Sequence, residues 1–409
     1  MTESRFVNSA MAGLGLCVLA ASPTPAQERV ATDLMTFAQG VLPLSVEMQG
    51  TDMRVDMAAA ISLIDGNPGK VSMTGKPGGP GDAVIFTYSL PAPTRFSRFA
   101  VPGIAETPSP SQTFFADVAV EGASASAEGP WLPLASGRLE THAEAGLQTD
   151  LTLVPDQPEV RWLRLRLSDG IRVERDKTFF EFSELIGEGT QRDAELATDF
   201  GGIWKGRGVK LELAQEGAVV SGCYDANGRL NGTVEGRVLR ALGQDAAGIR
   251  SQFILMTGPD GTLRGLRSSN GAPFKPYDGA AVDGPAICPT PEPPRLGCGS
   301  TIHGIGFDYD SDVIRAASQP LIARLFDGLS AVGAARIEII GHASAEGAAD
   351  YNRDLSQRRA QSVVAALVAL GLDPVALSAS GRGEDEPIAS NDDEAGRTLN
   401  RRVEVRCTG

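Results

Sequence analysis

Residues 341–402 read GHASAEGAADYNRDLSQRRAQSVVAALVALGLDPVALSASGRGEDEPIASNDDEAGRTLNRR, and the fold of the last quarter of the chain follows from them. Leu355, Val363, Leu367 and Leu370 recur along residues 355–370, with Arg359 in the gap between the first two. That spacing predicts one apolar helix face, running from near Ala348 to a stop at Gly371. Arg359 falls on the same face, four residues after Leu355 and four before Val363. A guanidinium aimed at a core needs an acidic partner, an escape to water along its own stem, or an anionic ligand.

Outward from that helix, Ile337–Ile340 and Val375–Ser380 read as strands. Ile302–Asp308 reads as an earlier strand and Asn400–Cys407 as a last one, with Val403, Val405 and Cys407 on one face. Ser311 or Asp312 is placed to cap a helix running to about Leu329. The order is β-α-β-α-β-β, a two-layer α/β arrangement. Residues 284–298 carry five prolines, which continue neither helix nor strand. They predict a semi-rigid linker that holds the last domain at a distance from what precedes it.

Before the linker the pattern is strand and turn. Residues 196–283 contain short alternating runs such as Val209–Leu213 and Ala218–Tyr224. Asn227-Gly228 and Asp260-Gly261 are hairpin signals, and together these predict a small antiparallel meander or barrel. Trp204 reads there as a plug at the barrel end. Residues 53–195 contain the stretch AAAISLIDGNP at 58–68. Strands are predicted at Leu42–Met48 in the N-terminal segment 27–52, and then at Ala83–Tyr88, Thr94–Pro102, Thr113–Val120, Gln148–Leu153 and Val160–Leu167. In the last of these, arginines alternate with apolar residues, the mark of a sheet with one wet face.

The 409 residues allow several domains. A formal net charge of -14 excludes a general nucleic-acid binder, which needs concentrated Lys and Arg. Internal apolar runs are too short to span a bilayer as a helix. Residues 1–26 read as a secretory signal, with an apolar segment at 10–21 and Thr24 and Ala26 before the cleavage point. Lipidation at Cys17 is the alternative; Leu16 before it is not small. Without Cys17 four cysteines remain, Cys223, Cys288, Cys298 and Cys407, open to three pairings in an oxidising compartment. The three histidines, His142, His303 and His342, show no metal-ligand spacing. No nucleophile elbow, phosphate loop or zinc-protease motif is present, so the reading is a non-catalytic protein with no metal and no cofactor.

Gly341-His342, Gly347, Tyr351-Asn352, Leu355-Ser356, Arg358-Arg359-Ala360 and Val363 resemble the OmpA-like peptidoglycan-binding domain. So do Gly381–Glu384, Pro387, Asn391, Gly396-Arg397 and Asn400–Glu404. The resemblance covers 299–409. More loosely, the IDG turn, the strand ending at Pro102 and the VRWLRLRL strand of residues 53–187 resemble a discoidin or galactose-binding-like jelly roll. The implied fold is multidomain: a jelly-roll sandwich, a small antiparallel β domain, and an OmpA-like two-layer domain. The OmpA resemblance implies a last strand lying between the first two, hence a Cys298–Cys407 bridge, and with it Cys223–Cys288.

It also implies a ligand. Such domains hold peptidoglycan through the diaminopimelate of the stem peptide, with an arginine on the long helix taking the carboxylate; its match is Arg359. The family's loop aspartate, which receives the amine, is Ser344 here. Glu346, Asp308 and Asp310 are the carboxylates placed to substitute, and Asn352 is a further candidate. His342 is expected to orient the loop, Arg397, Arg401 and Arg402 to brace the final loop and strand, and Asp392, Asp393 and Glu394 to form a solvated turn. The implied setting is the periplasm of a Gram-negative-type envelope, bound to the wall and associated with the outer membrane. The competing reading is a carbohydrate- or lipid-binding protein acting through the jelly roll. A glycan, a lipid or an outer-membrane protein is then the partner of the β domains.

Overall fold

Alternating strands dominate up to residue 281 and resolve into two sheets, with a third at the end of the chain. The computed structural model describes residues 33–409 apart from 51–54, 69–72, 76–81, 104–113, 140–146, 172–179, 207, 287, 289–295, 308–309, 334–335 and 409. The predicted signal at 1–26 and Cys17 lie outside the described residues, as do His142 and Asp308.

The first sheet has ten strands, ordered along its main path as Leu42–Gln49, Ala83–Pro102, Val160–Ile171, Phe114–Ala123, Leu132–Arg138 and Thr152–Leu153. The strand from the N-terminal segment 27–52 is therefore an edge of this sheet. Ala83–Tyr88 and Thr94–Pro102, expected as two strands, are one strand of 20 residues. Its register breaks between Ser89 and Thr94, around Pro91 and Pro93, which have no N–H to donate to the ladder. Leu163, Leu165 and Leu167 are fully buried while the alternating arginines are only partly covered, as the alternation predicts.

Residues 202–281 close into an eight-stranded antiparallel barrel, the last strand, Lys275–Ala281, pairing back on the first, Gly202–Gly206. Side chains fill its interior, among them Leu211, Leu213, Tyr224, Leu239, Phe253 and Leu255. Trp204 is a core residue of this cluster whose Nε1 donates to the Phe200 carbonyl at 3.0 Å.

The third sheet is built from Thr301–His303 (β1), Arg336–Gly341 (β2), Leu377–Gly381 (β3) and Arg402–Thr408 (β4), with helices Gln319–Val332 (α1), Ala349–Leu370 (α2) and Glu394–Asn400 (α3). The strand order is β1-β4-β2-β3, so the last strand does lie between the first two. Cys298 is bonded to Cys407 and Cys223 to Cys288. Helix α2 lies close on β2 and β3: a Cβ on Gly341 would stand 2.2 Å from the Ser356 carbonyl, and one on Gly381 2.4 Å from the Gln357 nitrogen. Gly371 ends α2 at a φ of 117°, the left-handed stop that its sequence predicts.

Several boundaries differ from expectation. Strand β1 ends at His303, not Asp308. Helix α1 starts at Gln319, not near Ser311, because Pro320 can sit only in a first turn: deeper in a helix its ring would strike the carbonyl of Ala316. Pro374 likewise begins a short 3-10 turn, so β3 starts at Leu377 rather than Val375. Leu370 is 46% exposed, so the buried stripe ends at Leu367. Asn400 ends a helix rather than starting the last strand.

The proline-rich stretch does not keep the last layer apart. The His303 N–H donates to Thr233 Oγ1 of the barrel at 3.1 Å, and Arg240 Nε donates to Thr398 at 3.2 Å. The Glu394 N–H donates to the Gly66 carbonyl at 3.0 Å. One apolar cluster draws on all three layers: Leu163 and Leu165 of the first sheet, Ile254 and Met256 of the barrel, and Ala395 and Leu399 of α3 all belong to it. Among the described residues no helix is long and apolar enough to cross a membrane.

Candidate functional site

Helix α2 buries Leu355, Ala360, Val363 and Leu367 and carries Arg359 at the edge of that face. The guanidinium is half-buried. Its Nε donates to the Ser311 carbonyl at 3.0 Å, and its carbon lies 4.8 Å from the centre of the Phe307 ring. No carboxylate of the described residues lies within ion-pair distance of it. Burial lowers its pKa to about 10, with Arg401 and Arg358 pushing the same way and Asp310 and Asp312 opposing them. A cation so placed, desolvated and without a close counter-charge, has a free electrostatic demand that an anionic ligand can meet.

The loop after β2 is held by a charge network. Ser344 Oγ donates to Glu346 at 2.8 Å. Arg401 reaches Ser344 at 3.3 Å and Glu346 at 3.1 Å, and also pairs with Glu394. Arg397 pairs with Glu394 at 3.0 Å and stands 3.7 Å from Glu346. Burial pushes the Glu394 carboxyl up, but Arg401 and Arg397 overcome it and hold the group below its ordinary range. Arg397 and Arg401 thus tie the loop after β2 to Glu394 of α3. Glu394 does not belong to a solvated turn: it and Asp393 are buried, and Asp393 caps α3 by accepting from the Gly396 N–H at 2.6 Å.

Asn352 is buried and donates to Glu384 at 2.6 Å, tying α2 to the loop after β3. Asp310 is exposed at a φ of 54° and acts on Arg359 through its charge. His342 is buried, with no hydrogen bond to either ring nitrogen among the described residues, and its Nε2 lies 3.5 Å from a Glu404 carboxylate oxygen. Burial lowers its pKa to about 4, with Arg402 adding to the effect, which leaves the ring neutral at pH 7. Arg402 instead holds Glu404 at 2.7 Å. The structure thus groups Arg359 with Asp310, Asp312, Ser311 and Phe307, and Ser344 with Glu346. Arg401 stands between the groups, its charge acting on Arg359 while its side chain binds Glu346. Sequence reading misses Phe307 and the part played by Glu394. An aromatic residue close after β1 is the available signal for the first; the second depends on α3, which has none strong enough.

Among the described residues Glu212, Cys223 and Cys288 are close enough to share a metal ion, but both sulfurs are joined in a disulfide.

Residues 306–401 match the model of the OmpA family. The chain is similar to outer membrane porin F of Pseudomonas fluorescens, 41% identical over 101 residues, which are 25% of this chain and 31% of that protein. It is similar also to outer membrane protein A of Bordetella avium, 37% identical over 103 residues, 25% of this chain and 53% of that protein. The chain therefore spans from 31% to 53% of the length of these two curated relatives. Among solved structures it is similar to the cell wall anchor of the T6SS from Pseudomonas aeruginosa, with 38% identity, covering 26% of this chain and 76% of that one at a TM-score of 0.24. The α/β layer at the end of the chain is an OmpA-like domain.

Proposed function

We propose that this chain is an exported, non-catalytic protein of a Gram-negative-type envelope that binds peptidoglycan through its OmpA-like domain and tethers its two β layers to the wall. The family match over 306–401 supports wall binding. Arg359 takes the carboxylate of the stem-peptide diaminopimelate, because a planar fork suits bidentate carboxylate binding. The observation that carries this assignment is its half-buried guanidinium with no carboxylate partner among the described residues. The ligand's amine meets Ser344, with Asp310 and Asp312 the acidic charges that act on Arg359; Glu346 is already engaged by Arg401. Asp308 lies outside the described residues. The protein then sits in the periplasm on the wall, at the inner side of the outer membrane.

Co-sedimentation with purified sacculi tests the proposal. The parent protein should pellet with the wall, and Arg359→Ala should bind at least about tenfold less, the loss of one charged contact. Equal retention of a folded Arg359→Ala variant would remove the assignment.

A second reading rests on the resemblance of residues 53–187 to a galactose-binding-like jelly roll: glycan or lipid binding there, with the OmpA-like domain serving only to localise it. A glycan array probed with the whole Arg359→Ala chain separates the two, since retained glycan binding favours this second reading.

A further inference from the structure

The outer face of the first sheet carries a polar row across three neighbouring strands, because Ser45, Thr87 and Arg164 are successive register partners. Their chain neighbours Val46, Phe86 and Leu165 are also register partners and point to the core, so the row points away from it. An outward row of this kind normally meets bulk water. Here residues of two segments overhang it, Pro259, Asp260 and Arg264 of the barrel and Ala127 and Glu128 of the loop between two strands of the first sheet. With Leu44 and Glu47 they line a cleft, open to solvent, of about 500 Å³, within the size range of small-molecule sites.

Beneath the overhang Thr87 is 3% exposed and Arg264 5% exposed. Thr87 Oγ1, Arg164 Nε and Arg264 Nε have no hydrogen-bond partner among the described residues. The other nitrogens of Arg264 are engaged, one donating to the Pro43 carbonyl at 2.9 Å and one to Asp260, and its Nε is 3.9 Å from Asp278. The Arg164 guanidinium lies 4.3 Å from the centre of the Trp131 ring. It has no carboxylate within ion-pair distance among the described residues. At the mouth, Glu47 and Glu128 are exposed and likewise without ion-pair partners among those residues. Buried polar atoms left unmatched are costly, and those that persist call for water or a ligand.

We propose that this cleft binds a small zwitterion, a free amino acid or a dipeptide, with its carboxylate on Arg164 and Thr87 and its ammonium at Glu47 and Glu128. A simple anion would meet two carboxylates at the mouth and a simple cation would meet Arg164 on the floor. A ligand carrying both charges answers both ends, and the stacking of Arg164 on Trp131 fixes the direction of its fork. None of the lining residues lies in the OmpA-like domain, so the site is separate from the one around Arg359.

Calorimetric titration of the whole chain with L-alanyl-L-alanine, with its N-acetylated form and with its C-terminal amide tests this. The dipeptide should bind saturably with a Kd of about 1 mM or tighter, and each blocked form about tenfold more weakly. Thr87→Val and Arg164→Gln should each weaken the dipeptide about tenfold. Absence of saturable binding, with water alone serving the unmatched atoms, would overturn the proposal. Equal binding of the three ligands, or unchanged binding in both cleft variants at parental melting temperature, would do the same.

Discussion

Arg359 shows how a single position can be legible before any fold is known. Its place on the apolar face is written in intervals of four, and the structure leaves it half-buried against Phe307. Burial lowers its pKa to about 10, and the side chain stays cationic through pH 9. Sacculus binding should therefore be level from pH 7 to 9; a fall beginning near pH 8 would implicate another group. His303 and His342 make the opposite kind of residue. Burial, with Arg240 and Arg402 beside it, lowers His303 to about 3, and burial with Arg402 lowers His342 to about 4. Both therefore stay neutral in the folded chain while the unfolded chain takes protons below pH 6.5. Their stabilisation is present above that pH and is lost as pH falls towards the folded values. Asp33, raised by burial to about 7, acts in the reverse sense, so the test is a difference. His303→Gln should lessen the loss of stability between pH 6.5 and 4.5 by about 1 kcal/mol per pH unit, read from urea midpoints.

At the scale of elements, α3 is the instructive case. Asp393 accepts from the Gly396 N–H, and Asp393→Ala should cost about 1 kcal/mol in urea unfolding. It should also loosen Arg397 and Arg401, so that the Ser344–Glu346 loop becomes more open to protease. Seven residues are too few to display a helical period, and the acidic run Asp392–Glu394 at its start reads as turn, so the helix is invisible in the sequence. Helix α2, with 22 residues and a glycine stop, is plain. The starts of α1 and β3 are misread near Pro320 and Pro374 because a residue pattern can run across a proline where the backbone cannot. Barrel closure is undecidable for a different reason: Gly202–Gly206 meets Lys275–Ala281 from far along the chain, and neither strand carries a local mark of its partner. Of the site, the arginine is legible from its own helix. The engagement of Glu346 is not, because Arg401 and Arg397 arrive from the helix that cannot be seen.

For the whole molecule, the shared apolar cluster matters most. Sheet, barrel wall and α3 contribute to one core, so residues 33–409 should melt in a single calorimetric transition rather than three. Two or more resolved transitions would show that the contacts through Thr233, Arg240 and Gly66 are weak. Replacing Cys298 and Cys407 together by serine should lower stability by about 2–4 kcal/mol, measured by chemical denaturation, since that bridge closes the longer loop of the two.

The two bridges also flank the proline-rich stretch, one fastening Cys288 to a barrel strand and the other fastening Cys298 to the final strand. If the wall pulls on one part and the rest of the envelope on another, the mechanical path runs through residues 288–298 and two sulfur links. That leash has a contour of about 35 Å at full stretch. Tension can peel the OmpA-like layer from the barrel by no more than that distance before it is carried by covalent bonds, and it can then relax without either end having unravelled.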